Sequence, residues 1–253
     1  MTDFNYTTGT ADSLVIIPTY NEKENVEGII RAVFSLAGNF HVLIVEDNSP
    51  DGTAEIVRRL LPEFQGRLFM EERRGKLGLG TAYIHGFNWA LERHYDYIFE
   101  MDADFSHNPE DLLKLKTAVK NGADLAIGSR YVNGVNVVNW PMGRVLMSYY
   151  ASAYVRMVTR MKVRDTTAGF KCYSRKVLQA INFNSIRFTG YAFQIEMKYT
   201  TWKLGFRIVE VPIIFTDRTQ GESKMSSGIF REAILGVMSL RFRNVKKYHK
   251  VNQ

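Results

Sequence analysis

Cysteine is almost absent, with Cys172 the single one among 253 residues. That excludes an intramolecular disulfide framework and any Cys-rich zinc site, and predicts a buried thiol in a reducing compartment. Long apolar runs are missing too. The longest stretch of that kind, Met142 to Val158 (MGRVLMSYYASAYVRMV), contains Arg144 and Arg156. It falls short of the ~20 predominantly apolar residues that span a bilayer, so no transmembrane helix is expected. The opening residues MTDFNYTTGTADS have no cationic segment followed by an apolar one and do not read as a signal peptide. Repeats, low-complexity tracts and Pro/Gly/Ser-rich linkers are also lacking. The expected organisation is a flexible tail over 1–12, one domain over 13–226, and an amphipathic helix with a basic tail over 227–253.

Acid is missing from the end of the chain. Residues 241–253 hold Arg241, Arg243, Lys246, Lys247 and Lys250, so the rest carries only +2 of the net +7. Such a tail suits an anionic partner, nucleic acid or a membrane surface, or is simply a solvated face.

What is present is enough for a large core. At 29.1 kDa, with 45% hydrophobic and 23% charged residues, folding would reduce roughly 42,000 Å² of accessible surface to about 11,000 Å². From Leu14 to Ile127, short apolar runs alternate with helical patterns. Leu14–Ile17 precedes Asn21, a candidate N-cap, and a helical face of Val26, Ile29, Ile30, Val33, Phe34 and Ala37. His41–Val45 precedes Thr53–Leu61, Arg67–Met70 precedes Leu79–Arg93, and Tyr97–Met101 precedes Pro109–Asn121; Asp124–Ile127 then reads as another strand. This order predicts an α/β fold, a Rossmann-like mostly parallel sheet with helices on both faces and ligands at the carboxyl ends of its strands.

The polar residues at those ends carry the chemistry. PTYNE (18–22) follows the first strand and EDNSPDGT (46–53) the second. Both use ordinary turn residues, yet a carboxylate there can also accept hydrogen bonds from a base or ribose, which makes Glu22 and Asp47 candidates for a nucleoside. Neither segment has the glycine spacing of a dinucleotide fold or a Walker loop. The fourth strand ends in MDADFSH (101–107). Two carboxylates one residue apart can hold a hard divalent cation, Mg²⁺ or Mn²⁺, with diphosphate and water completing the shell. His107 reads as a cap or packing residue, because those metals favour oxygen.

Taken in order, IIPTYNEKENV (16–26), VEDNSPDGT (45–53), RRGKLGLGTAYIHGF (73–87), DADFSHNPEDL (102–112), GSRYVNG (128–134), DTTAGFKCYSR (165–175), GYAFQIEM (190–197) and EVPIIFTDRTQGESKMS (210–226) make the chain resemble the family 2 glycosyltransferases of GT-A fold. Within them it is similar to the dolichol-phosphate (polyprenol-phosphate) mannose synthases. The resemblance implies transfer of mannose from GDP-mannose to a polyprenyl or dolichyl phosphate. It implies that Pro18, Tyr20, Glu22, Val45 and Asp47 surround the nucleoside, that Asp102, Ala103 and Asp104 surround the diphosphate and metal, and that Asp104 is the direct ligand. Ser106 takes a position that is Gln in some relatives; its shorter side chain leaves direct ligation open. Arg130, Arg218 and Lys224 match positions that bind donor or acceptor phosphates.

Acid–base catalysis is not needed for such a reaction. A phosphate monoester with a second pKa near ~6 is largely dianionic at neutral pH and attacks without a protein base. The protein aligns the groups and stabilises the leaving diphosphate, and a single displacement converts an α-linked donor to a β-linked product. The loop Glu71–Gly80, with Arg73, Arg74 and Lys76, reads either as a flexible turn or as a mobile element closing over phosphates. Ile229, Phe230, Ala233, Ile234, Val237 and Met238 form an apolar stripe ahead of the basic tail. That stripe packs on the protein's own core or lies in a membrane interface. A cytoplasmic, peripheral enzyme meeting its lipid directly or through a small anchoring subunit is the expectation. The alternatives are a polyprenyl-phosphate transferase using a UDP-sugar, a nucleic-acid binder and a noncatalytic nucleotide-binding regulator. With the polar motifs gathered at strand ends rather than around the basic tail, no nucleic-acid partner is expected.

Overall fold

The structure, a computed structural model, describes residues 11–217 and 236–245. Strands β1 (Ser13–Thr19), β2 (Phe40–Glu46), β3 (Leu68–Glu72), β4 (Tyr97–Glu100) and β5 (Leu125–Ser129) alternate with helices α1 (Val26–Phe34), α2 (Thr53–Leu60), α3 (Leu79–Glu92) and α4 (Asp111–Lys120). The alternation in the sequence is thus the alternation of the fold. Asn21 differs from expectation: it takes a left-handed φ of 54° in a turn, and α1 begins five residues later at Val26. Its role is to turn the chain at the end of β1.

Beyond β5 come β6 (Val137–Val138), α5 (Met142–Thr159), β7 (Lys171–Ser174), α6 (Arg175–Ala180), α7 (Ala192–Lys203), β8 (Ile208–Pro212) and β9 (Phe215–Thr216). The main sheet has the order β3-β2-β1-β4-β7-β5-β8, and β6 pairs with β9 in a small second sheet. Pairing is parallel except at β7, which runs antiparallel to both β4 and β5. The period of two along each strand divides the core into two layers. Leu14, Ile16, Leu43, Val45, Ile98 and Tyr173 face α3, α6 and α7, whereas Val15, Ile17, Val42, Ile44, Phe99 and Cys172 face α1, α2 and α4. Cys172 is fully buried, as its type predicts. Gly86 lets α3 sit close to β1, since a Cβ there would stand 2.7 Å from Ile16.

Two edges of the predicted domain are firmly attached. The carbonyl of Asp12 accepts from Asp96 N at 3.0 Å and Tyr97 N at 2.9 Å, and its carboxylate meets Lys116 at 2.6 Å. At the other end, residues 236–242 are helical, and Val237, Leu240 and Val245 are buried in the α3–α7 layer. Arg243 is buried as well, paired with fully buried Glu196 and donating to the Ser185 carbonyl. One of the five tail cations is therefore structural, while Met238 and Phe242 remain exposed. The apolar positions from Ile229 to Ile234 lie outside the described residues. No described helix is long and apolar enough to cross a membrane.

Candidate active site

Parallel strands end their backbones at one edge of the sheet, and the polar motifs gather there. The turns after β1 and β2 interlock: Asn21 N donates to Ser49 Oγ at 3.0 Å, Glu22 N to Thr53 Oγ1 at 3.0 Å, and Lys23 N to Asp51 Oδ2 at 3.1 Å. Pro18 and Val45 are register partners. The Val45 side chain is fully buried in the core, so only its backbone stands at the strand end. Tyr20 has Lys76 Nζ 5.0 Å from its ring centre, and Glu22 Oε2 accepts from Asn25 Nδ2 at 3.1 Å.

Asp47 is engaged by an unforeseen partner. Arg73 Nε and Nη2 donate to its two oxygens at 2.6 Å each, and Arg73 Nη1 reaches Thr81 Oγ1 at 2.8 Å. With both side chains only 8% exposed, Arg73 acts here as a fixed partner of the strand-end carboxylate.

The β4 end builds a second cluster. Asp102, Asp104, Ser106 and His107 line a cleft of about 830 Å³ with Arg130 opposite, while Ala103 is buried beside them. Asp104 Oδ1 accepts from Ser106 N at 3.1 Å, closing a tight turn in which Phe105 takes a left-handed φ of 57°. His107 is held flat on Phe170, with ring centres 4.8 Å apart, and edge-on to Phe215. Burial lowers its pKa to about 4 against the opposing pull of Asp104. The ring is neutral at neutral pH, in keeping with a packing role.

Arg130 is directed by Asp165. Its backbone N and Nε donate to Asp165 Oδ2 at 2.9 and 2.8 Å, and Nη2 donates to Oδ1 at 2.6 Å and to Thr167 Oγ1 at 2.8 Å. Burial works to raise the Asp165 carboxyl, but Arg130 overcomes it and holds that pKa below the usual carboxylate range. Burial pulls the guanidinium down less than Asp165 pulls it up, so both groups are charged. Nη1 has no hydrogen-bond partner among the described residues, and Arg130 lines the cleft. Arg144, on the first turn of α5, also lines the cleft, stacked 4.2 Å over Trp140 and bonded to Asp217 at 2.8 Å.

The cleft changes character along its length. Past the charged groups its wall is Met147, Tyr150, Ala151, Tyr154 and Val155 of α5, with Val237 from the C-terminal helical stretch. Outside it, α5 exposes Met142, Leu146, Tyr149 and Met157.

The donor set fits a hard divalent cation. Asp102 and Asp104 offer carboxylate oxygens, and the buried Ser106 Oγ beside them has no hydrogen-bond partner among the described residues. No group of three or more His, Cys, Asp or Glu suited to a metal occurs among the described residues. A cation here would thus depend on substrate oxygens and water, as Mg²⁺ and Mn²⁺ tolerate.

Asp102, Ala103, Asp104, Ser106 and Arg130 are therefore brought together. Pro18, Tyr20, Glu22 and Asp47 lie at the neighbouring strand ends, and Arg218 and Lys224 fall outside the described residues. Sequence reasoning missed Arg144 and Asp165 as site residues, and it placed Arg73 in a phosphate-closing loop without foreseeing its bond to Asp47. For Asp165 a signal existed, an acid in the small-residue segment DTTAG that had to answer a nearby cation.

Residues 14–181 match the glycosyl transferase family 2 domain. The chain is 46% identical over 228 residues to the polyprenol monophosphomannose synthase of Mycolicibacterium smegmatis, covering 90% of this chain and 86% of that one. It is likewise 46% identical over 224 residues to the undecaprenyl-phosphate mannosyltransferase of Micrococcus luteus, with 88% and 91% covered. Its fold is similar to the crystal structure of Mycobacterium tuberculosis glucosyl-3-phosphoglycerate synthase in complex with Mn²⁺, UDP and glucosyl-3-phosphoglycerate. There the TM-score is 0.65 at 17% identity, with 91% of this chain and 78% of that one covered. By its matched domain and its two 46% identical relatives, this chain belongs to glycosyl transferase family 2.

Proposed function

We propose that the protein transfers mannose from GDP-mannose to a polyprenyl phosphate with inversion, giving a β-linked polyprenyl phosphate mannose. The observation that carries this reading is the two-part cleft. Asp102, Asp104, Arg130 and Arg144 line it together with an apolar stretch of α5, from Met147 to Val155, that follows Arg144 along the helix. A lipid with a phosphate head fits both parts at once, and the names of the 46% identical relatives support mannose as the sugar.

Pro18, Tyr20, Glu22 and Asp47 hold the nucleoside at the ends of β1 and β2. Asp102 and Asp104 hold Mg²⁺ or Mn²⁺, with Ser106 Oγ as a further oxygen; the metal supplies positive charge to the leaving diphosphate. Arg130 Nη1 and the Arg144 guanidinium direct phosphate oxygens toward the sugar. Each already has its own carboxylate, so these arginines add orientation more than net charge. Arg218 and Lys224 add the cations that the resemblance assigns to phosphate. The neutral, packed His107 and the self-sufficient phosphate nucleophile agree in needing no protein base.

The exposed apolar side chains of α5, together with exposed Phe242, form the contact with the membrane surface that delivers the acceptor. We place that contact on the cytoplasmic face, where nucleotide sugars are made, and leave an anchoring subunit as an addition the cleft itself does not require.

The test is to incubate the purified protein with a panel of GDP- and UDP-sugars, a polyprenyl phosphate and Mg²⁺ or Mn²⁺, and to weigh the lipid product. Mannosyl lipid from GDP-mannose is expected, as is a fall of two to three orders of magnitude in Asp104→Ala with folding retained. A glucosyl lipid from UDP-glucose would replace mannose in the assignment, and no transfer under any condition would refute it.

A further inference from the structure

Behind the cleft runs a chain of buried polar groups, of which Gln194 also lines the cleft. Glu100, the last residue of β4 and two before Asp102, is fully buried and ion-paired with fully buried Lys171 of β7 at 2.9 Å. Gln194 of α7 donates to the other Glu100 oxygen at 2.7 Å and accepts from Lys171. One turn further along α7, fully buried Lys198 has no carboxylate in contact among the described residues. Its ammonium donates to three carbonyls: Thr166 O at 2.9 Å, Ala168 O at 2.6 Å and Gln194 O at 3.2 Å.

Two of those carbonyls flank Thr167, whose hydroxyl accepts from Arg130 Nη2, and one residue before Thr166 is Asp165, which takes the rest of the Arg130 fork. The same segment reaches the β4 carboxylates, because a Cβ on Gly169 would stand 3.9 Å from Asp102 Oδ2 and 3.8 Å from Gln194 Nε2. A short, coil-like segment thus holds Arg130 at one end and borders Asp102 at the other. It has no strand partner over 165–169.

We infer that Lys198 is a positioning residue for transfer: its buried ammonium pins segment 165–169 and so aims Arg130 into the cleft. A lysine suits this task because three donors radiate from one point and can satisfy three carbonyls that converge from different strands of chain. Burial, with Lys171 nearby, pushes the Lys198 pKa well below the ordinary lysine value, so holding an ammonium here is costly and falls to the three converging carbonyls. That its three donors are spent on main-chain carbonyls, two of them in segment 165–169, points to a positional duty. The inference rests on the proposed transfer reaction and adds a residue remote from the substrates to it.

The experiment is a double-mutant cycle on the full chain with GDP-mannose, polyprenyl phosphate and Mn²⁺, using Lys198→Met, Lys198→Gln, Arg130→Lys and the pairwise combinations. Lys198→Met should lower kcat roughly 10- to 100-fold, the scale of a displaced catalytic group. GDP affinity by calorimetry and donor KM should stay within about threefold. Lys198→Gln keeps two N–H donors and should recover part of kcat. If the Met variant does not fold, the Gln variant carries the cycle alone. Aiming predicts that the losses at 198 and 130 do not multiply, the double variant being about as slow as Arg130→Lys. Multiplying losses, or a kcat that merely follows the folded fraction in both Lys198 variants, would overturn the inference while the transfer reaction stands. A wild-type protein that transfers no sugar would remove both.

Discussion

Strands β3, β2 and β1, with α1, α2 and α3 against them, are joined by apolar side chains on both faces, and apart from the Asp47–Arg73 pair at the strand ends their ion pairs lie outside. Arg31–Glu63, Arg58–Glu72 and Arg59–Glu27 are examples, all substantially exposed. Strands β4, β7 and β5 with α7 do the opposite. There Glu100, Lys171, Gln194, Lys198, Asp165 and Arg130 are buried within the fold and bonded to one another or to main-chain carbonyls. The first half is a scaffold in which polar groups appear only at the strand ends. The second half uses buried ions to orient its reacting edge, accepting a desolvation cost that apolar packing would avoid.

The largest expected effect attacks that difference directly. Lys171→Met leaves the Glu100 carboxylate buried and unpaired and should cost about 3–5 kcal/mol in denaturant unfolding. Glu100→Gln combined with Lys171→Met should regain most of it, and a double variant no better than the single would show that the pair is not the unit. Acid comes next. His41 is buried against Tyr95, 2.6 Å from its hydroxyl, and burial lowers its pKa from 6.5 to about 4. Because the unfolded chain takes up the proton first, stability is full above pH 6.5 and falls as pH drops toward 4. His41 accounts for up to about 3 kcal/mol of that fall. Thermal melts across this window should flatten in part in His41→Gln, since His107 at the cleft adds to the same slope. The Asp165–Arg130 pair should give way only below the ordinary Asp value of 3.8, as its carboxyl is held lower still.

Smaller effects test the apolar half. Gly86→Ala pushes a methyl into Ile16 and should cost about 1–3 kcal/mol with kcat unchanged, read by melting and by lipid product formed. Arg58→Ala, which removes two exposed ion pairs with Glu55 and Glu72, should change stability by no more than about 1 kcal/mol. An effect as large as that of Lys171→Met would erase the contrast between the halves.

The apolar half is also the part that the sequence announces. Its strands are continuous runs such as LVII and HVLIV, and its helices have one-sided apolar faces, so periods of two and 3.6 locate β1 to β3 and α1 to α3 closely, and the same reading carries on through β4, α4 and β5. The strand-end motifs are legible for the same reason, because they interrupt clear patterns. The charged half hides itself. KCYS over β7 is too short and too polar to read as a central strand, yet Lys171 is the register partner of Glu100. Helix α7 buries every residue from Ala192 to Thr201, so it has no apolar stripe to detect, and its Gln194, Glu196 and Lys198 look like surface residues. A lone acid closing the apolar strand YIFE was the available sign that a buried cation had to arrive from elsewhere. Arg144 was concealed differently, as an interruption of an apolar stretch, when it is the residue that brings charge to the mouth of the trough.

The insertion of antiparallel β7 between β4 and β5 also sets an order in time. Residues that reach Lys171 leave the ribosome after Glu100 by about seventy positions, or roughly four to fourteen seconds at ordinary elongation rates. During that interval β1, β2, β3 and β4 can assemble, but the inner edge of β4 presents an unanswered carboxylate and a row of unpaired backbone groups. A nascent chain paused there would be a half-sheet with a charged seam, which disfavours wrong strands from joining it until the lysine-bearing one is made.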